Sequence, residues 1–229
     1  MITVDYRGRG RSDYDPRPAN YNPMTYLADL HLVLADAGIS RTVVLGTSMG
    51  GLLAMGLAAA MPGLPAGIIL NDIGPVIAEA GYGRITETVG IETHPASFGE
   101  AAALWRRADA AANPRLDDVG WLKLAHATYR VDESGQGVRP DYDLAVGISL
   151  KAQAAMPLPD LWPFFHGLRG LPLLVLRGAL SDVLSADTLA RMQHDHPGMI
   201  AVTIPDVGHV PMLDEPEALA AIDSFLAGF

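Results

Sequence analysis

The chain has 229 residues, of which 49% are hydrophobic and 18% are charged, and its formal net charge is −10. This length suits one domain with an insertion, and the acidic balance argues against a general nucleic-acid binder, which must neutralise phosphates. The sequence contains no cysteine, no apolar run near the ~18 residues of a membrane span and no signal-peptide pattern at residues 1–7. We therefore expect an enzyme or a binding protein of a bacterial-type cytosol.

The amino-terminal part predicts a strand, a loop and a helix, in that order. Residues 2–6 are typical of a buried strand. Residues 7–13 hold three arginines among glycines, which we interpret as a solvated loop rather than a phosphate or RNA site, given the acidic chain. The loop also lacks the third glycine and following helix of a dinucleotide-binding turn. Asn22 and Pro23 then begin a helix that ends at Gly38.

A strand, a tight turn and an apolar helix follow at residues 42–62. The turn carries Gly46-x-Ser48-x-Gly50, in which the serine stands on a strained turn and its hydroxyl is clear of the sheet edge. The residues two before and two after Ser48 crowd each other, and glycine has no Cβ to clash. A glycine-rich turn with an incidental serine is the alternative. The flanking strand and helix favour a nucleophile.

Another buried strand covers residues 66–72, and the alternation of strands and helices predicts a parallel sheet with right-handed crossovers. The pattern then becomes helical, with a capping box at Ser97 and Glu100, helices over 97–113 and 117–129, and a turn at 135–137. We therefore predict an α/β fold with a doubly wound, mostly parallel sheet. Its core would comprise 1–72 and 169–229, and 73–168 would form an inserted helical cap.

The predicted cap contains all three tryptophans of the chain, Trp105, Trp121 and Trp162. They are candidates for substrate binding together with Val183. For at least two of the tryptophans, packing inside a small helical cap is the favoured role, because an indole ring fills a large apolar volume.

The sheet resumes with a strand at residues 171–178, followed by a helix from 186, a strand at 199–204 and a closing helix at 215–225. In an open parallel sheet, functional groups gather at the carboxyl ends of the strands. Ser48, Asp182 and His209 each follow such an end, and their order along the chain is the one associated with the elbow motif. His209 would remove the proton of Ser48, and Asp182 would orient the imidazole.

Four segments of the chain resemble the α/β-hydrolase fold: residues 2–12, 46–51, 176–182 and 207–216. The resemblance is greatest to small capped bacterial hydrolases, which include esterases, enol-lactonases and carbon–carbon bond hydrolases. It implies a triad of Ser48, Asp182 and His209, an acyl-enzyme, an oxyanion donor at the Met49 backbone N–H, and no metal or cofactor. Some members place the acid where Asp72 lies here, but residues 177–182 match the commoner acid loop.

The family also has further strands before the one predicted at residues 2–6, and a loop after one of them supplies a second oxyanion donor. These strands are absent from the sequence, so we hypothesise a truncated product or a mis-assigned start. Upstream coding sequence should supply the loop, and a stop codon just before Met1 would contradict this. Loss of one donor costs on the order of 10²–10³ in rate. A catalytically impaired or silent ligand-binding protein on the same fold is therefore the alternative function.

The other histidines do not indicate a second site. Residues 194–196 read His-Asp-His, which is compatible with a metal, but we favour solvated polar side chains because no third ligand follows. The same interpretation holds for the remaining histidines, which are His31, His94, His126 and His166. We expect a monomer or homodimer that acts on a small molecule, with neither nucleic acid nor membrane as its partner.

Overall fold

The computed structural model describes residues 1–229 and contains nine α-helices and six strands. The helices are α1 (Pro23–Asp36), α2 (Met49–Ala60), α3 (Glu79–Thr88), α4 (Phe98–Asp109), α5 (Asp118–Thr128), α6 (Ala145–Ala154), α7 (Trp162–His166), α8 (Ala186–Asp195) and α9 (Pro216–Leu226). The strands are β1 (Thr42–Thr47), β2 (Pro65–Asn71), β3 (Tyr129–Val131), β4 (Val138–Pro140), β5 (Leu173–Gly178) and β6 (Ile200–Ile204). None of the helices combines the length and the apolar character that crossing a membrane requires.

The chain divides into two compact units, whose boundaries differ from those of the predicted core and cap. The first unit comprises residues 1–26 and 84–157, and the second comprises 27–83 and 158–229. The amino-terminal residues belong to the first unit because Tyr21, which is 2% exposed, is bonded to its helical part. The Tyr21 hydroxyl donates to Asp143 Oδ2 at 2.5 Å, and its carbonyl accepts from Ser149 Oγ at 2.8 Å. Burial, together with the Asp143 carboxylate, raises the pKa of Tyr21 to about 12.

The strand predicted at residues 2–6 is wrong, because residues 1–6 form no regular secondary structure and Ile2 is 55% exposed. A strand needs a neighbour that satisfies its backbone N–H and C=O groups, and no strand pairs with these residues. The nearest pairing is a single antiparallel bridge between Arg9 and Tyr142. The sequence also did not predict the β3–β4 hairpin, which closes around the turn expected at residues 135–137.

The first unit has a core of its own, formed where α4 packs against α5. Ala101 and Ala125 are fully buried and let the two helices approach, while Trp121 and Val138 fill the space beside them. The serine half of the predicted capping box is present, because Ser97 Oγ accepts the N–H of Glu100 at 3.2 Å. The Glu100 carboxylate accepts the N–H of Ala96 at 2.8 Å rather than that of Ser97.

The second unit contains a four-stranded parallel sheet in the order β1-β2-β5-β6. The two central strands are almost wholly inaccessible and, apart from Asn71 and Arg177 near their ends, apolar, as expected for parallel strands covered on both faces. On one face α9 contributes Ala218 and Phe225 to a core with Ile69, Leu174 and Ile204. The predicted α/β fold with a parallel sheet is confirmed.

The register of the sheet brings the ends of its strands to one edge. Thr47 of β1 pairs with Asn71 of β2, Asn71 pairs with Leu176 of β5, and Gly178 pairs with Ile204 of β6. Because the strands are parallel, the loops that follow them emerge together at the carboxyl edge. The residues that follow these four strands therefore come close in space.

Candidate active site

Ser48 stands alone on the turn between β1 and α2, in a backbone conformation that L-residues rarely adopt (φ 49°, ψ −118°). The turn is tight enough that a Cβ on Gly46 would lie 2.3 Å from the carbonyl oxygen of Gly50. The Ser48 N–H donates to the carbonyl of Asn71 at 3.0 Å, which ties the turn to the next strand. Met49 is the first residue of α2, so its N–H has no acceptor within the helix and is available to a ligand. The strand, turn and helix expected of a nucleophile elbow are all present.

His209 follows β6 and links Ser48 to a carboxylate. Its Nε2 lies 3.0 Å from Ser48 Oγ, and its Nδ1 lies 2.8 Å from Asp72 Oδ2. An ionised carboxylate only accepts hydrogen bonds, so Nδ1 carries the proton and Nε2 accepts from the serine hydroxyl. The His209 side chain is 8% exposed and the Asp72 side chain is wholly buried. This is the geometry in which a serine hydroxyl is activated by a neutral imidazole.

Asp72 is the residue directly after β2, and its position is determined by several hydrogen bonds. Its N–H donates to the carbonyl of Leu176 at 2.8 Å, and its backbone has a φ of 55°. Its Oδ1 accepts the N–H of Gly178 at 2.9 Å, while Oδ2 accepts the hydroxyl of Ser181 at 2.6 Å as well as His209. This observation corrects the predicted pairing of His209 with Asp182.

Asp182 lies in the loop between β5 and α8, where its carbonyl accepts the N–H of Gly81 at 3.0 Å. The loop does reach the site, but through the preceding residue, Ser181. The match to the acid-loop pattern therefore marked a loop that contacts the Asp72 carboxylate, and the side chain of that loop which bonds it is Ser181. The signal for Asp72 in the sequence was its place after a buried strand, which had left it as the alternative.

Asn71 is a further site residue that the sequence analysis did not identify. Its side chain is fully buried, and Nδ2 donates to Thr47 Oγ1 at 3.1 Å and to the carbonyl of Pro211 at 3.0 Å. Asn71 therefore joins the strand before Ser48 to the loop that carries His209. The available signal was an amide side chain at the end of an otherwise apolar strand, where a polar group needs partners.

The tryptophans have packing partners of their own. Trp121 is 3% exposed in the core of the first unit, and Trp105 Nε1 donates to Thr128 Oγ1 at 2.9 Å. Trp162 lies in α7 of the second unit, with the Arg191 guanidinium 3.7 Å from its ring centroid. Val183 is buried, at 1% exposed. A contact of these four residues with substrate stays a prediction.

The histidines near the end of α8 form hydrogen bonds within the second unit. His194 Nδ1 and His166 Nε2 each lie 3.0 Å from a carboxylate oxygen of Asp195, and these hydrogen bonds lower the pKa of Asp195 to about 2. His196 Nε2 lies 3.1 Å from the carbonyl of Leu168. No group of three or more histidine, aspartate or glutamate side chains in the structure is arranged to hold a metal ion.

The family model described as "Alpha/beta hydrolase family" matches residues 1–222 of the chain. The chain belongs to this family. Its sequence is 43% identical to that of an alpha/beta hydrolase of Novosphingobium aromaticivorans. The crystal structure of that protein superimposes on this one with a TM-score of 0.93, over 98% of this chain and 79% of that one.

Two curated relatives of this α/β hydrolase have named substrates. The 3-hydroxybutyrate-oligomer hydrolase of Cupriavidus necator is 30% identical over all of this chain and 79% of its own length. The 2-(acetamidomethylene)succinate hydrolase of Mesorhizobium japonicum is 26% identical over 98% of this chain and 77% of its own length. The protein is accordingly an enzyme with hydrolase activity, which confirms the predicted class.

Proposed function

We propose that this α/β hydrolase cleaves a small ester, lactone or related carbon–carbon bond substrate through Ser48, His209 and Asp72, by way of an acyl-enzyme. The observation that carries the proposal is the continuous hydrogen-bonded series at the carboxyl edge of the sheet. It runs from Ser48 Oγ to His209 Nε2 at 3.0 Å, and from His209 Nδ1 to Asp72 Oδ2 at 2.8 Å. Such a series is recognised by its geometry and not by the position of its members in the chain.

In the first half of the proposed reaction, Ser48 Oγ attacks the carbonyl carbon of the ester while His209 Nε2 takes its proton. The Asp72 carboxylate, which accepts from Nδ1–H, stabilises the imidazolium that forms. The Met49 N–H donates to the developing oxyanion, since the first N–H groups of a helix are unpaired and lie at its positive end. His209 then gives its proton to the leaving alcohol, and the acyl group remains on Ser48.

In the second half, a water molecule occupies the place that the alcohol leaves. His209 Nε2 removes one of its protons as the water oxygen attacks the acyl carbon. Collapse of this second tetrahedral intermediate returns the proton to Ser48 Oγ and releases a carboxylic acid. The two halves use the same three side chains, so a variant that lacks any one of them should be impaired in both.

The burial of Asp72 is consistent with this role. A fully buried carboxylate is costly unless it is hydrogen-bonded. Three donors surround it: the N–H of Gly178, the hydroxyl of Ser181 and the Nδ1–H of His209. Those hydrogen bonds offset the loss of water and leave the carboxylate in one orientation against the imidazole.

The relative from Cupriavidus necator favours an ester of a short hydroxy acid as the first substrate to test, because it is named as a 3-hydroxybutyrate-oligomer hydrolase. The relative from Mesorhizobium japonicum is named for a different substrate, so the panel should extend beyond linear esters. A suitable panel is a chromogenic short-chain ester, 3-hydroxybutyrate oligomers and a small lactone.

The test compares the protein with Ser48→Ala on that panel and adds mass spectrometry after exposure to a fluorophosphonate, which labels activated serines. We expect turnover and a single adduct on Ser48, with loss of at least about 10³-fold in rate in Ser48→Ala. Equal rates for the two proteins, together with no adduct, would contradict the proposal. That result would support a catalytically silent ligand-binding protein instead.

A further inference from the structure

We infer that Ser181 is a positioning residue that acts on His209 through Asp72, an assignment that rests on the proposed roles of those two side chains. Ser181 Oγ lies 2.6 Å from Asp72 Oδ2, and the same oxygen accepts His209 Nδ1–H at 2.8 Å. The hydroxyl therefore shares the acceptor on which the orientation of the imidazole depends. No hydrogen bond joins it to Ser48, so its effect on the nucleophile passes through the acid and the base.

The direction of the hydrogen bond between Ser181 and Asp72 follows from the donors around the hydroxyl. The N–H groups of Val183 and Leu184 both point at Ser181 Oγ, each at 3.1 Å. A hydroxyl has two lone pairs and one proton, so these two donors occupy its acceptor capacity. The hydroxyl proton is therefore donated to Asp72. Donation into Oγ also polarises the hydroxyl and strengthens the bond that it gives to the carboxylate.

The loop that presents Ser181 is held from two sides, so the hydroxyl has little freedom to move. Arg177 Nε donates to the carbonyl of Leu184 at 2.7 Å from a side chain that is almost wholly buried. On the other side, a Cβ on Gly178 would lie 2.4 Å from the carbonyl oxygens of Val207 and Gly208, so the two loops touch backbone to backbone.

The hydroxyl has two effects on the proposed acid. It holds Oδ2 while Gly178 N–H holds Oδ1, so the carboxylate has a donor on each side and its broad terminal torsion is restricted. It also withdraws charge from the oxygen that faces His209. Removing it should loosen the carboxylate and leave more negative charge against the imidazole.

The experiment measures Ser181→Ala against the wild-type enzyme on whichever ester the wild type hydrolyses. We expect kcat to fall about 10-fold with little change in KM, because the substitution misorients the base and Ser181 has no proposed role in holding substrate. We also expect the acid limb of the kcat/KM profile to move to higher pH, since a carboxylate with one donor fewer favours the protonated imidazole. Ser181→Thr keeps the hydroxyl, so its kcat and the pH of its acid limb should be those of the wild type.

The charged side chains on the elements around His209 and Asp72 are the same in all variants. A shift in the acid limb of the kcat/KM profile is therefore due to the substitution at Ser181. They are Glu79, Arg177, Asp182, Asp206, Asp214 and Glu215.

Ser185→Ala is the matched control for loss of stability. Ser185 Oγ accepts the N–H of Thr188 at 3.0 Å as the N-cap of α8, and it makes no hydrogen bond to Asp72. This variant should lower the melting temperature while leaving kcat and the acid limb unchanged. If Ser181→Ala does not fold, Ser181→Cys replaces it, because a thiol is of similar size and is a weaker donor.

A second readout needs no turnover. The proton NMR resonance of His209 Nδ1–H reports the hydrogen bond to Asp72, and it should move further downfield in Ser181→Ala but not in Ser185→Ala. If the wild type hydrolyses nothing and this shift is still seen, the inference stands while the proposed function fails. An unmoved resonance overturns the inference, as does a fall in kcat with a fixed acid limb that Ser181→Thr does not rescue.

Discussion

Two loops at the carboxyl edge of the sheet each carry an aspartate, and the structure uses them differently. The loop after β2 begins with Asp72, which is fully buried and lies 2.8 Å from His209. The loop after β5 carries Asp182, whose surrounding residues match the commoner acid loop of the family. This second loop supplies donors to Asp72, namely the Gly178 N–H and the Ser181 hydroxyl, at 2.9 and 2.6 Å.

The difference shows that the order of the strands in the sheet, rather than the sequence pattern of a loop, determines which carboxylate pairs with His209. β2 is the neighbour of β1, and Thr47 pairs with Asn71, so Ser48 and Asp72 begin adjacent loops. β5 lies one strand further from β1 than β2 does. Its loop contacts the site at the Asp72 carboxylate. A loop whose sequence resembles the acid loop of its family can therefore donate hydrogen bonds to an acid in the neighbouring loop.

The largest expected effect separates the two aspartates directly. Asp72→Asn should lower kcat by about 10⁴-fold, because an amide at this position disturbs the tautomer of His209 and leaves its imidazolium unpaired. Asp182→Asn should change kcat by less than about 10-fold, since it removes no hydrogen bond to the imidazole. Steady-state kinetics on one ester, with circular dichroism as a check of folding, measure both. The reverse ranking would return the role of the acid to Asp182.

A smaller effect is expected where the second loop meets the loop of His209. Gly178→Ala puts a methyl group 2.4 Å from two backbone carbonyl oxygens, which must move apart. We expect a loss of about 1–3 kcal/mol in the free energy of unfolding. We also expect a fall in kcat of about 10²-fold, because His209 is displaced from Ser48.

Gly63→Ala is the control for this variant, because a Cβ on Gly63 meets nothing within 4 Å. Its free energy of unfolding should stay within about 1 kcal/mol of the wild type and its kcat should be unchanged. A Gly178→Ala enzyme with wild-type turnover would show that the contact between the two loops does not position His209.

Asn71, which directly precedes Asp72 in the chain, provides a test next to the first of the two loops. Asn71→Ala removes a buried hydrogen bond to Pro211 and a partly buried one to Thr47, and should cost about 1–3 kcal/mol of unfolding free energy. Because these bonds join the elements of Ser48 and His209, kcat should fall about 10-fold as well.

The control is Asn113→Ala in the first unit, where the buried side chain donates to Asp109 Oδ2 at 2.6 Å. It should lower stability without changing kcat. Chemical denaturation and kinetics on the same samples compare the two losses. If both variants lose stability and neither loses turnover, Asn71 is a structural residue only.

The smallest effect on turnover is expected at Asp195, which also contacts histidines but has no serine beside them. Its pKa is about 2, held there first by His194 and then by His166, against an ordinary value of 3.8. A carboxyl whose pKa is lower in the folded state contributes stability above pH 3.8, and that contribution is lost as the pH falls towards 2.

Asp195→Asn should therefore flatten the decline of melting temperature with acid below about pH 4 and leave kcat at neutral pH unchanged. Thermal melts across pH 2–5 and a single rate measurement check this. A change in kcat as large as that in Asp72→Asn would mean that contact with a histidine, rather than the series ending at Ser48, is what turnover depends on.

The predictions from sequence succeeded where a feature depends on residues close together in the chain. The ends of α1 follow from Asn22, whose Oδ1 accepts the N–H of Thr25 at 3.0 Å, and from Gly38, which has a φ of 66°. The prediction failed at residues 2–6, whose apolar alternation resembles a strand, because the strand state depends on a paired neighbour elsewhere in the chain.

The sequence by itself determined the nucleophile elbow, because the crowding that requires glycine at position 46, against the backbone of Gly50, arises within five consecutive residues. It also determined that a histidine would follow the last strand of a parallel sheet. Only the tertiary structure decided which carboxylate that histidine meets. The choice depends on the order of β2 and β5 in the sheet and on which side chain of the second loop turns inward, and neither is encoded in the spacing of residues along the chain.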